Sequence, residues 1–187
     1  ASSLEKSKSS TLIRAELHFL EGMTRNLEAL LESSTSRTSE TVEVDRLVER
    51  VELRFAPLAR DRGLSFETAL PDQPLYVDAE SIGLERAVSN IVQNAVRFAS
   101  TQIALLVFEE GDEVRIEVRD DGPGLGDLSR RASERGTRGP EAKADGSGLG
   151  LAIAEASARR FGGRLETDDA EGGGALVAIV LPRVPQD

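Results

Sequence analysis

Two asparagines stand four residues apart in the apolar stretch NIVQNAVRF, residues 90–98. In a helix this spacing places Asn90 and Asn94 on one side, which we term the asparagine face. Asparagine is a poor residue for a helix interior, so two of them in register indicate a role other than helix stability. An asparagine oxygen can bind Mg²⁺, which prefers hard oxygen ligands, and Arg97 can reach a phosphate. Alternatively, one amide bonds neighbouring backbone and the other faces solvent.

A second polar segment, DDGPGL at residues 120–125, follows the alternating pattern that is typical of a strand. We term it the acidic turn. A carboxylate at such a position can accept a hydrogen bond from an exocyclic amine, for example that of adenine. Glycines in the turn let the backbone approach a planar ligand closely. The alternative is an ordinary acidic surface turn.

A third segment, GSGLGLAIA at residues 146–154, is rich in glycine and leads directly into a helical pattern. A helix start of this kind offers free N–H groups and a positive dipole end to phosphate. No Gly-Lys-Ser/Thr follows, so the segment is not a P-loop, and no strand precedes it as in a dinucleotide fingerprint. A flexible hinge is the alternative.

In this order, the three segments resemble the N, G1 and G2 boxes of the GHKL ATP-binding superfamily, in the version found in the sensor histidine kinases of two-component systems. The resemblance covers about residues 42–182. It implies the Bergerat fold, an α+β sandwich in which helices pack on one face of a mixed sheet. It implies ATP and Mg²⁺ as cofactors.

The resemblance also implies site residues. Asn94 would bind Mg²⁺, Asn90 would neighbour the metal or a phosphate, and Asp120 would accept the adenine amine. The implied catalytic residues are Asn90, Asn94, Arg97 and Arg138. The implied cofactor-binding residues are Asn90, Asn94, Arg97, Phe98, Asp120, Gly122, Gly124, Leu125, Arg135, Gly146, Ser147, Gly148, Leu149 and Gly150.

Residues 126–145 would form the ATP lid, where the sequence departs from the family. The family's phenylalanine-rich box, which ends in arginine, stands here as ASERGTRG, residues 132–139. Without the aromatic anchors we expect a mobile lid in which Arg135 and Arg138 remain candidate phosphate contacts. A solvated basic loop is the alternative.

One substitution separates members of the superfamily. Members that hydrolyse ATP, such as gyrase, carry a glutamate general base four residues before the metal asparagine. Here that position is Asn90, which cannot accept a proton. The sequence therefore favours transfer of phosphate to an acceptor, by a protein-histidine kinase, over hydrolysis.

The N-terminal segment, residues 4–33, repeats apolar residues at the spacing of a coiled-coil seam. The seam positions are Ile13, Leu17, Leu20, Thr24, Leu27 and Leu31, of which only Thr24 is polar. We expect a dimerisation and phosphotransfer helix over residues 1–34, the second helix of a hairpin, which forms a homodimer. A polar linker at 35–41 and a catalytic domain at 42–187 follow. The alternative is a helix that packs on its own domain.

The single histidine, His18, is a poor candidate for the phosphoacceptor, because Phe19 follows it where the family has an acidic residue. We expect the acceptor on a first helix before residue 1, which would pass its phosphate to an aspartate of a response-regulator receiver domain.

Alternative functions are a protein-serine kinase of the anti-sigma type and a non-catalytic nucleotide-binding module that docks partners.

Composition narrows the class of protein. The chain has 187 residues, no cysteine and a net charge of −10, which argues against nucleic-acid binding, disulfides and thiolate zinc sites. Its longest apolar stretch, residues 175–182, is too short to cross a bilayer, and we expect no signal peptide in its first residues. We expect a cytoplasmic domain, in contact with a membrane only through an upstream sensor region.

The local pattern predicts helices and strands in alternation. Asp45 and Asp78 are predicted N-caps of helices. The predicted helices are 45–62, 79–99 and 147–161, and the predicted strands are 41–44, 64–70, 74–77, 101–110, 113–120, 164–167 and 175–181.

Overall fold

The computed structural model describes residues 39–125 and 149–186, in which three helices and seven strands are found. In chain order they are β1 (Glu40–Glu43), α1 (Val44–Asp61), β2 (Ser65–Ala69), β3 (Tyr76–Ala79), α2 (Ser81–Phe98), β4 (Gln102–Glu110), β5 (Glu113–Asp120), α3 (Leu149–Arg160), β6 (Arg164–Asp169) and β7 (Ala175–Pro182). The predicted N-terminal helix with His18 and the predicted lid lie outside the described residues.

A five-stranded sheet in the order β2-β4-β5-β7-β6 is the centre of the domain. Strands β2 and β4 are parallel, and the other neighbours are antiparallel, so the sheet is mixed. Strands β1 and β3 form a separate antiparallel pair, which is joined to the C-terminal segment by a bridge between Val77 and Arg183.

One face of the sheet packs against the helices. Alternate residues of β5 are buried there, and helix α2 contributes an apolar stripe that contacts β4, β5 and β7. Burial of each such side chain contributes about 1.5–3 kcal/mol. The residues of the stripe are Leu84, Val88, Ile91, Val92 and Ala95, and those of β5 are Val114, Ile116 and Val118. The predicted α+β sandwich, with helices on one face of a mixed sheet, is confirmed.

The two predicted N-caps are wrong. Asp45 lies inside the first turn of α1, and Asp78 lies in β3, where it accepts a hydrogen bond from Thr41 Oγ1 at 3.2 Å. The cap positions are Glu43 and Glu80, and neither makes a side-chain cap hydrogen bond. Pairing of β1 with β3 keeps the backbone extended up to both helices.

The ends of two helices agree with the sequence. Gly63 and Gly162, which follow α1 and α3, have φ of 75° and 80°. This left-handed conformation favours glycine and stops a helix. Within residues 39–125 and 149–186, no helix combines the length and apolar character needed to cross a membrane.

Candidate functional site

The first turn of α3 lies against the asparagine face of α2. A Cβ on Gly150 would stand 3.6 Å from Asn94 Nδ2 and 3.7 Å from Asn90 Cβ. These are ordinary contact distances, so the two asparagines and the N-terminal turn of α3 border one another directly. The structure therefore brings together the first segment and the described part of the third, residues 149–154.

The side-chain nitrogen of Asn90 is buried and has no hydrogen-bond partner among the described residues. A buried amide left unpaired costs about 1–3 kcal/mol, so such groups normally meet a partner. A ligand or a water bound between α2 and α3 would supply one. This observation favours a binding role for the asparagine face over the alternative in which the amide bonds nearby backbone.

Arg97 and Phe98 form an exposed pair at the C-terminal end of α2. The Arg97 guanidinium carbon lies 5.1 Å from the centroid of the Phe98 ring, and Phe98 is 45% exposed. A cation over an aromatic ring at this distance is attracted by the ring's electrons. The contact keeps both predicted nucleotide-contacting side chains together at the edge of the helix.

Asp120 ends β5 and is half-buried at the start of the acidic turn. Its Oδ1 accepts a hydrogen bond from the backbone N–H of Gly122 at 2.9 Å. Burial raises the pKa of the Asp120 carboxyl above its ordinary value, against the lowering effect of hydrogen bonds from Gly122 and Ala175. A half-buried carboxylate with an elevated pKa is a good acceptor for a neutral amine.

Glycine at position 122 is required by packing. A Cβ there would overlap the carbonyl oxygen of Phe98 and stand 2.8 Å from Asp120 Oδ1. The end of α2 therefore touches the acidic turn, and the first and second segments of the sequence are also in contact.

Gly124 and Leu125 complete the acidic turn. Gly124 has φ of 77°, and a Cβ on it would lie 3.1 Å from both Asp169 Oδ1 and Gly174 O. Leu125 is partly buried and packs on the core. The turn thus lies between the end of α2 and the β6–β7 connection.

Sequence reasoning missed two residues at this site, Asp121 and Gly174. Asp121 accepts hydrogen bonds from the backbone N–H groups of Ser100, Thr101 and Gln102. Side chains of successive extended residues point to opposite sides, so two adjacent aspartates could have been expected to have different partners. For Gly174 the only signal is the run of three glycines at 172–174.

Several predicted site residues lie outside the described part of the chain, and their roles stay predictions. They are Arg135, Arg138, Gly146, Ser147 and Gly148. For Leu149 the structure describes the backbone and not the side chain.

The described residues fit a magnesium ion that arrives with phosphate. Across residues 39–125 and 149–186, no cluster of three or more His, Cys, Asp or Glu side chains could hold a metal ion. Mg²⁺ in nucleotide sites commonly keeps several waters and uses one or two protein oxygens plus phosphates. A single amide oxygen from Asn94 on the asparagine face agrees with that kind of coordination.

Comparison with known proteins assigns the chain to a family. Residues 79–185 match the family described as "Histidine kinase-, DNA gyrase B-, and HSP90-like ATPase". The chain is 30% identical to the sensor histidine kinase CpxA of Escherichia coli (strain K12) over 183 residues, which is 95% of this chain and 40% of that protein. The chain therefore spans less than half of that relative.

Two solved structures are similar in fold and sequence. The mycobacterial sensor histidine kinase MprB has a TM-score of 0.65 and 28% identity, covering 80% of this chain and 100% of that one. The histidine kinase domain of the Escherichia coli osmosensor EnvZ has a TM-score of 0.61 and 29% identity, covering 82% and 94%. The chain belongs to the histidine kinase-, DNA gyrase B- and HSP90-like ATPase family and contains an ATP-binding catalytic domain of the histidine kinase type.

Proposed function

We propose that this domain binds Mg²⁺-ATP and that the full protein transfers the γ-phosphate to a histidine on a dimerisation helix. From there the phosphate passes to an aspartate of a response-regulator receiver domain. The observation that carries the proposal is the contact between the asparagine face and the first turn of α3, beside the Asn90 side-chain nitrogen, for which residues 39–125 and 149–186 supply no partner.

The base would bind at the acidic turn. Asp120 offers a half-buried carboxylate at the end of β5, and adenine carries an exocyclic amine that can donate to it. Hydrogen bonds to charged groups contribute about 1.5–3 kcal/mol, so this single contact supplies affinity as well as selectivity. Phe98, exposed at the end of α2, would flank the base or ribose.

The phosphates would lie between α2 and the N-terminal turn of α3. The first N–H groups of a helix have no partner within the helix and point along its axis, towards an anion placed there. Asn90, which lies beside Gly150 and whose Nδ2 has no partner among the described residues, would add a side-chain donor. Arg97, in the last turn of α2, would add positive charge to the region of the phosphates.

Catalysis by these residues would rest on positioning and charge stabilisation. Magnesium, when bound with the nucleotide, would neutralise phosphate charge, and Asn94 is the residue that would hold it. Phosphoryl transfer needs alignment of the acceptor and electrostatic support more than covalent chemistry from the protein. Because Asn90 cannot accept a proton from water, the site lacks the base that hydrolysis requires at this position.

The wider context is part of the same proposal. Residues 1–34 would form the dimerisation helix of a homodimer, and the domain would act in the cytoplasm, where ATP is available. The full protein would reach the membrane through a sensor region outside this chain.

Calorimetric titration of the chain with a non-hydrolysable ATP analogue, with and without Mg²⁺, tests the proposal. We expect saturable binding that Mg²⁺ strengthens. Absence of binding at millimolar nucleotide would contradict it. Steady-state ATP turnover gives a second readout: rapid hydrolysis would favour a hydrolase, whereas slow turnover with acid-labile phosphate on a histidine of the full-length protein is expected for a kinase.

A further inference from the structure

We propose that Asp121 is a positioning residue for the base-binding carboxylate of Asp120, and that it thereby sets the preference of the site for adenine. The inference rests on the proposed nucleotide function and extends it to a residue that makes no predicted contact with the ligand.

The Asp121 carboxylate binds the chain that follows α2. Its Oδ1 accepts from the backbone N–H of Ser100 and Thr101 at 2.9 Å each, and of Gln102 at 3.1 Å. Its Oδ2 accepts from Thr101 N at 3.0 Å and from Thr101 Oγ1 at 2.5 Å. One side chain thus satisfies three successive N–H groups where α2 ends and β4 begins.

This anchor fixes the residues on both sides of it. Asp121 is covalently joined to Asp120 and Gly122, and the Gly122 backbone lies directly against the carbonyl of Phe98. On the other side, Gly174 packs on the backbone of Asp120 and Asp121. Unlike these two glycine contacts, the anchor is made by a charged side chain. It bonds backbone N–H groups that lie 19–21 positions earlier in the sequence.

The pKa values of the two neighbouring carboxyls are shifted in opposite directions. Hydrogen bonds from the Thr101 hydroxyl and from the backbone of residues 100–102 hold the pKa of Asp121 well below its ordinary range. Burial raises the pKa of Asp120, and the charge on Asp121 raises it further. The oxygens of Asp121 are therefore occupied by internal donors, while Asp120 keeps acceptor capacity for a ligand.

Selectivity for adenine depends on placement. A carboxylate accepts a hydrogen bond from the 6-amino group of adenine and repels the 6-carbonyl of hypoxanthine. A hydrogen bond weakens steeply with angle and distance, so a small displacement of Asp120 removes most of the discrimination. Sites built around a polar contact can discriminate strongly, but only while the contact is held in place.

The test compares the affinities of the full chain for ATP and for inosine triphosphate by calorimetry. We expect the unaltered chain to bind ATP more tightly than inosine triphosphate. In Asp121→Asn the ratio of the two affinities should fall about tenfold, which corresponds to the loss of one good hydrogen bond. The amide oxygen can still accept from the three N–H groups, but the NH₂ would replace Oδ2 opposite the Thr101 N–H, and the negative charge that strengthens all these bonds would be lost. Asp112→Asn is the matched control, because it makes the same charge change at the opposite end of the β4–β5 hairpin.

A ratio of affinities unchanged from the unaltered chain, even with a lower melting temperature, would overturn the inference and leave Asp121 a structural residue. Thr101→Val covers the case in which Asp121→Asn does not fold. It removes one donor and keeps the three N–H groups, so the preference should fall about two- to threefold. An unchanged preference in a folded Thr101→Val chain would also overturn the inference.

Asp120→Asn separates this inference from the proposed function. If the unaltered chain binds both nucleotides equally, or if Asp120→Asn leaves the preference intact, the adenine assignment itself fails. If Asp120→Asn abolishes the preference and neither Asp121→Asn nor Thr101→Val changes it, only the role of Asp121 fails.

Discussion

Gly174 lies against the backbone carbonyl of Asp120, so closely that a Cβ at position 174 would overlap that oxygen. The φ angle of Gly174 is 102°, a conformation that L-residues rarely adopt. Glycine is therefore required by conformation and by packing at once. The β6–β7 turn, more than 50 positions further along the chain, is a direct support for the residue predicted to bind the base.

Replacement of Gly174 by alanine should cost stability and nucleotide affinity together. We expect a loss of about 2–4 kcal/mol in the free energy of unfolding, because strain at positive φ adds to the overlap with Asp120. Gly172→Ala is the control, since its φ is 93° but nothing lies within 4 Å of its Cβ position. It should cost about 1–2 kcal/mol and leave ATP affinity unchanged.

Urea denaturation and calorimetry measure the two effects of the Gly174 change. Equal destabilisation by Gly174→Ala and Gly172→Ala would show that the contact with Asp120 is not significant.

Asp120→Asn should separate binding from stability. Asparagine keeps one acceptor oxygen for the backbone N–H groups of Gly122 and Ala175, and it removes a carboxylate whose pKa is raised by burial. A raised pKa means that the folded state holds the proton more tightly than the unfolded state, so the ionised carboxylate costs stability at neutral pH. The variant should melt no lower than the unaltered chain and bind ATP about 10- to 100-fold more weakly.

The pH dependence of the Asp120→Asn effect gives a second check. ATP affinity of the unaltered chain should fall as pH falls through the raised pKa of Asp120, above the ordinary value of 3.8. The variant should lack this component, and the comparison cancels titration of the nucleotide itself. A constant affinity ratio between the two chains from pH 7 down to the acid limit of folding would contradict the assignment.

Local pattern was sufficient for most of the fold. The alternation of Val114, Ile116 and Val118 predicts a strand with one buried face, and β5 has that face. The four-residue spacing of Asn90 and Asn94 likewise predicts a shared face, which α3 then meets. In these cases the periodicity of the backbone alone decides which side chains lie together.

The features that the sequence did not predict depend on pairing between strands that are distant in the chain. Asp78 is a suitable helix cap by residue type, but its pairing with Thr41 across β1 and β3 keeps it in a strand. The division of roles between Asp120 and Asp121 depends on residues 98–102, which reach the turn only through the register of β4 with β5. No local signal carries that information.

An ion-pair network lies on the face of the sheet that points away from the helices. Removal of its buried carboxylate should lower the free energy of unfolding more than removal of a carboxylate from an exposed pair of similar length. Glu117 is only 2% exposed and pairs with Arg115 Nε at 2.7 Å and Arg119 Nε at 2.5 Å. Glu117→Gln should lower the free energy of unfolding by about 1–3 kcal/mol, because the largely buried Arg115 loses one of its two close carboxylate partners and keeps Glu166 as the other.

Glu155 provides the matched control for Glu117. It pairs with Arg159 at 2.6 Å on α3, but its side chain is 47% exposed. Glu155→Gln should change stability by less than about 0.5 kcal/mol. Urea denaturation of the two variants measures the difference, and equal losses would show that burial does not determine the strength of these pairs.

Asn94→Ala should remove the dependence of nucleotide binding on Mg²⁺ while leaving a weaker, metal-independent affinity through Asp120. The reason is that Asn94 lies beside Gly150 on the asparagine face and is only partly buried, so its amide can offer an oxygen to a phosphate-bound ion. Gln93→Ala is the control, since Gln93 is an exposed amide on the same helix. Calorimetric titration with the ATP analogue, with Mg²⁺ and with EDTA, measures the enhancement for each chain. If Asn94→Ala keeps the same enhancement as Gln93→Ala, the ion is held elsewhere, and Asn94 serves the contact between α2 and α3 instead.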